Sequence, residues 1–116
     1  MKSLGNNERK QKIADAVKKV ASADIGAFCN ISGPEGKVMI TIENMGEANN
    51  VNLVIQGDLP DDVIEKIQQV IENHGGDTMM MQITCSPDKA PDIIEEVMAT
   101  ALGKSDYDVN IELALE

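Results

Sequence analysis

The side chains able to do chemistry are few, and their spacing does not group them. His74 is the sole histidine of the chain, and it falls at the expected C-terminus of a helix, where an imidazolium would stabilise the last carbonyls. Cys29 and Cys85 are the two thiols. Each occupies an apolar-phase position of an expected strand, which reads as a small buried hydrophobe in a reducing compartment and not as a disulfide. One His and two Cys give no metal-ligand spacing, and no Ser-His-Asp or Cys-His signature can be read. The acid pair Asp61-Asp62 lies where a helix start favours acids, and Glu95-Glu96 lies on a helix side facing solvent, so general acid-base work has no support beyond their presence. Gly33-Pro34-Glu35-Gly36 resembles a phosphate-cradling loop only in its glycines. It lacks the Lys-Ser/Thr ending, and no helix follows it. No catalytic residue, cofactor site or metal ligand is assigned, and an enzymatic reading is kept open only by His74 and Tyr107.

The elements that must position these residues are better defined. From Asp58 to Cys85, Val63, Ile64, Ile67, Val70 and Ile71 recur every three or four positions, the stripe of an amphipathic helix. Pro60 opens it, Asp61 and Asp62 complement the dipole, and His74-Gly75-Gly76 close it. Thr78–Cys85 then switches to a period of two, with Met79, Met81, Ile83 and Cys85 expected inward. Before this unit, Ile13, Ala14, Val17, Val20 and Ala21 mark a first helix ending near Ala23. Ile25–Ser32 and Lys37–Asn44 alternate as two strands joined by the Gly33–Gly36 turn into a hairpin, and Val51, Leu53 and Ile55 form a third strand. Ser86–Gly103 carries a third helix, with Pro87 and Pro91 near its start. A fifth strand alternates from Tyr107 to the C-terminus. Pro60–Glu65 echoes Pro91–Glu95, a likeness short enough to follow from shared capping and packing rules.

Because every strand alternates, the sheet is expected to be covered on one face only. The predicted fold is α+β: a two-layer α/β sandwich with one mixed five-stranded sheet and three helices on one face, in the order α-β-β-β-α-β-α-β. Residues 1–6 are expected to form a disordered tail and 7–116 a single domain, a length sufficient for a core without metal or disulfide. One Phe, one Tyr, no Trp and seven Met make that core aliphatic and adaptable.

Formal net charge is −10, which argues against nucleic acid as a partner. The balance is uneven: Lys2, Arg9, Lys10, Lys12, Lys18 and Lys19 against Glu8, Asp15 and Asp24 make residues 1–24 net +3, leaving −13 on the remainder. Glu8 with Lys12 and Asp15 with Lys19 have the spacing of helix-surface ion pairs, and the basic helix is expected to neutralise acids such as Glu65, Glu72, Glu95 or Glu96. No apolar run supports a signal peptide or a membrane span, so a cytoplasmic location without membrane contact is expected.

The outward strand phase selects Phe28, Met39, Val54 and Met80, rimmed by Asn30, Thr41, Gln56, Gln82 and Asn110. If four successive strands are neighbours, these four side chains form one apolar patch ringed by amides and hydroxyls, as at a protein interface. The expected function is therefore a non-enzymatic protein-interaction or self-association module using the open sheet face or a free strand edge. The alternative is a small-molecule binding or regulatory domain with an apolar cleft between helices and sheet. In composition alone the chain resembles the small, uncharacterised, acidic α/β proteins common in archaeal genomes. That resemblance covers no motif and implies no activity.

Overall fold

The structure, a computed structural model, describes residues 6–46, 50–104 and 107–115. The expected tail therefore lies outside the described residues except for Asn6, where helix α1 (Asn6–Ser22) begins. The chain continues through β1 (Phe28–Ser32), a short 3-10 turn (Pro34–Gly36), β2 (Val38–Glu43), β3 (Val51–Gly57), α2 (Asp61–Asn73), β4 (Gln82–Cys85), α3 (Ala90–Leu102) and β5 (Asn110–Ala114). The element order and the class, α+β with three helices and a five-stranded sheet, are as the periodicities predict.

The sheet is not mixed. Its strand order is β4-β3-β2-β1-β5, and every neighbouring pair is antiparallel. Two connections explain why the strand-helix-strand units fail to give parallel neighbours. After α2 the chain returns to the end of β3 that it left: the Ile55 N–H donates to the Met81 carbonyl at 2.9 Å, and Gln82 pairs with Val54. From there β4 can only run back alongside β3. The second unit does join strands of the same direction, but α3 carries the chain from the β4 edge to the β5 edge, so three strands separate them.

Strand β4 is also half the expected length. Thr78–Met81 is a turn closed by an isolated bridge between Asp77 and Gln82, in which the Asp77 carboxylate accepts the N–H groups of Met79 and Met80 at 3.0 and 3.1 Å. An Asp that satisfies two amides locally competes with the ladder for them. Met79, expected inward, is consequently 91% exposed. Strand β1 is shortened too: Gly26 has φ 96°, and Ile25, expected in the core, lies exposed against Gly46.

The core lies between the sheet and the helices. Cys29, Ile31, Ile40, Ile42, Leu53 and Ile83 rise from the sheet to meet Ile13, Val17 and Val20 of α1, Ile67 and Ile71 of α2, and Ile94, Val97 and Met98 of α3. α3 begins later than the expected Ser86, with Pro91 in its first turn, where a missing N–H loses nothing. It ends at Gly103, whose φ of 70° suits glycine.

Candidate functional site

The open face is a grid set by the ladder registers. One row runs Ala114, Phe28, Glu43, Asn52, Thr84; the next Glu112, Asn30, Thr41, Val54, Gln82; the third Asn110, Ser32, Met39, Gln56. Residues opposite one another in such rows have Cβ atoms about 4.5–5.5 Å apart. The polar side chains use this proximity. Asn52 donates to the Glu43 carboxylate at 3.2 Å and accepts from the Thr84 hydroxyl at 3.3 Å, while the Thr41 hydroxyl donates to Asn30 at 2.8 Å.

The grid places the four apolar residues singled out above. Met39 and Val54 are diagonal neighbours on β2 and β3, both half-buried. Phe28 stands two rows from Met39, because the hairpin turn opposes Met39 to Ser32 and so leaves Phe28 facing Glu43. Met80 is not on a strand; it lies exposed in the turn before β4. The structure thus brings Met39 and Val54 together, and leaves Phe28 and Met80 apart from them.

A second feature is a cleft of about 350 Å³ between α2 and the end of the sheet. Ile55, Leu59, Ile64 and Ile67 form its apolar wall, with Met79 and Met81 contributed by the turn and Gln56, Gln68 and Thr78 supplying polar groups. Met81 holds φ 54°, an unusual backbone state for a residue with a side chain. Close packing beneath it accounts for Gly76, where any Cβ would collide with the Gln82 carbonyl and Ile71. The period-two reading of Thr78–Cys85 hid this turn, although Gly75-Gly76-Asp77 is turn chemistry.

The third feature is a buried polar cluster. Arg9, only 3% exposed, sets its Nε 2.8 Å from Glu95 Oε2, donates through Nη1 to the Tyr107 carbonyl at 2.7 Å, and lays its guanidinium 3.8 Å over the Tyr107 ring. The Tyr107 hydroxyl donates to the same Glu95 oxygen at 2.6 Å. Burial first, and then the neighbouring Glu95, push the Tyr107 phenol well above its ordinary value, against the opposing pull of Arg9. A phenol held neutral and capped by a carboxylate has no free acid-base capacity near neutrality; the cluster is a tie between α1, α3 and the segment leading to β5. Arg9 could have been found, since it stands four residues before Ile13 on the buried stripe.

Elsewhere the chemistry stays dispersed. His74 Nε2 lies 2.9 Å from Glu96 Oε1 on the surface, joining the end of α2 to α3. Burial pushes the Cys29 thiol up to about 11 and raises Cys85 as well, in part offset by Lys89, so neither is an activated thiolate. Among the described residues no group of three His, Cys, Asp or Glu side chains could hold a metal, and no helix is long and apolar enough to cross a membrane. The basic helix meets acids through Arg9 with Glu95 and Lys10 with Asp92. Lys12, Lys18 and Lys19 are exposed and make no ion pair among the described residues; Asp15 accepts from Gln11 at 3.0 Å instead of pairing with Lys19. Comparison of the chain with protein families, curated proteins and solved structures returns no match.

Proposed function

We propose that the chain is a non-enzymatic interaction module of the cytoplasm that offers its open sheet face to a protein partner. The supporting observation is charge depletion. The fourteen outward ladder positions hold no Lys or Arg and only two carboxylates, Glu43 and Glu112, in a chain that is 26% charged. Depletion of charge, more than bulk hydrophobicity, is what marks the centre of an interface. In this reading Met39 and Val54 form the apolar centre, Phe28 and Met80 are outlying contacts, and Asn30, Thr41, Gln56 and Gln82 offer the hydrogen bonds that fix orientation.

A second reading, binding of a small apolar molecule, is favoured by the cleft between α2 and the sheet, whose roughly 350 Å³ matches small-ligand pockets of about 300–1,000 Å³. The discriminating experiment is native mass spectrometry of the protein isolated from its own cells, as wild type and as the double substitution Thr41→Lys with Val54→Lys. A bound protein lost from the variant supports the face. A bound protein unaffected by it refutes the face, and a retained small molecule lost on Ile64→Glu moves the function to the cleft.

A further inference from the structure

The sheet has two edges, and they are finished differently. Strand β4 is four residues long, follows the left-handed Met81, and gives way to Pro87 and Lys89. A short, kinked edge beside proline and lysine resists pairing with another chain. β5 is one residue longer and lacks the kink, the proline and the lysine: Asn110–Ala114 holds no proline or lysine, and no described strand pairs with its outer side.

Its helix-facing side is unfinished as well. Leu113 lies across from Cys29, in a row that continues through Ile42, Leu53 and Ile83. Those four are fully buried or nearly so, whereas Leu113 is 40% and Leu115 39% exposed. Among the described residues the exposed leucines are confined to the edge strand and the residue after it, so the neighbour missing from this row lies beyond β5.

We propose that β5 is completed by β5 of a second copy, antiparallel about a two-fold axis, joining two five-stranded sheets into one. Charge excludes one register, and of the two neighbouring axes only the one through Leu113 sets both exposed leucines against apolar strand residues. An axis through Glu112 would set that carboxylate against its own copy, a destabilising arrangement. An axis one residue on sets Leu113 against Leu113 and Ile111 against Leu115 on the helix side, and Glu112 against Ala114 on the open face. In this register the strand is complementary to itself, apolar to apolar and carboxylate to methyl, so no second sequence is required. The contact is small beside the roughly 800 Å² per partner of standard interfaces, and each copy carries −10. The dimer is therefore weak, and it tightens as salt screens the repulsion between copies.

The test is sedimentation velocity over a concentration series reaching the millimolar range, in low and high salt. Wild type should form a dimer whose dissociation constant falls as salt rises. Leu113→Lys should be monomeric throughout with an unchanged circular dichroism spectrum. Ala114→Glu, which opposes two carboxylates on each side of the axis, should weaken the dimer by about tenfold, and adding Glu112→Lys to it should restore wild-type association. That charge exchange carries the test even if Leu113→Lys fails to fold. A monomeric wild type, a dimer indifferent to Leu113→Lys, or no rescue by the charge exchange overturns the proposal. A dimer lost instead in Thr41→Lys with Val54→Lys would assign self-association to the open face.

Discussion

Replacing Arg9 with leucine tests whether the buried cluster is what fastens α1 to α3 and to the approach to β5. The substitution removes the ion pair to Glu95 at 2.8 Å, the donor to the Tyr107 carbonyl at 2.7 Å and the contact with the Tyr107 ring. Breaking a fully buried pair costs about 3–5 kcal/mol, most of it from the charge left behind. Glu95 is 19% exposed and keeps the Tyr107 hydroxyl, which lowers that cost. The buried carbonyl stranded without its donor adds about 1–3 kcal/mol, and the leucine recovers part of the lost packing. The expected net loss is about 3 kcal/mol, a large share of the roughly 5–15 kcal/mol that stabilises a domain, and a fall in Tm of about 10–20 °C. Arg9→Lys retains the charge but not the planar fork that reaches both acceptors, so it should lose about half as much. Urea and thermal unfolding followed by circular dichroism measure both. A loss under about 0.5 kcal/mol for Arg9→Leu, the range of ordinary surface changes, would show that the cluster fastens nothing.

Stability should decline in alkali, because the folded-state pKa values of Cys29, Cys85 and Tyr107 are raised. The stabilisation is whole below the unfolded thiol value near 9 and is lost for Cys29 as pH climbs to about 11, at up to about 1.4 kcal/mol per pH unit and per group; Cys29→Ala should flatten that part of a pH series of urea midpoints. Gly76→Ala should cost more than about 2 kcal/mol, since its Cβ would meet backbone as well as Ile71, and an unchanged thermal midpoint would refute the close approach. Asp77→Ala should cost about 1 kcal/mol by freeing the amides of Met79 and Met80 and should speed their hydrogen exchange. Lys12→Ala, Lys18→Ala and Lys19→Ala should each change stability by less than about 0.5 kcal/mol and add independently, because these side chains are exposed and unpaired among the described residues.

Much of the fold was legible because burial imposes a period. The stripe Val63, Ile64, Ile67, Val70 and Ile71 placed α2 within a residue or two, and the alternation of Val38, Ile40 and Ile42 is reproduced in the buried side of β2. Periodicity carries no information about direction. A strand, a helix and a strand in succession predict parallel neighbours only when the chain crosses the sheet and returns beside its starting strand. Here α2 leads back to the end of β3 that the chain left, and α3 leads to the far edge, and both outcomes depend on turns whose local chemistry has no periodic signature.

The same limit explains what was missed at the candidate sites. Outward phase names Phe28, Met39, Val54 and Met80, but adjacency depends on register, and the register of a hairpin is set by its turn. The Gly33–Gly36 turn opposes Ser32 to Met39, so Phe28, four residues earlier, falls in the row of Glu43. Asp77 interrupts the alternation of Thr78–Cys85 with a turn and puts two expected strand methionines on the rim of a cleft. Arg9 shows the converse. Its phase is that of the core, but its charge argues for solvent, and the arrival of Glu95 and Tyr107, 86 and 98 residues away along the chain, makes burial tolerable. A charged residue on a buried stripe is thus evidence in itself: the fold must bring it a counter-charge, and in this chain the carboxylate that does so comes from the helix that crosses the sheet.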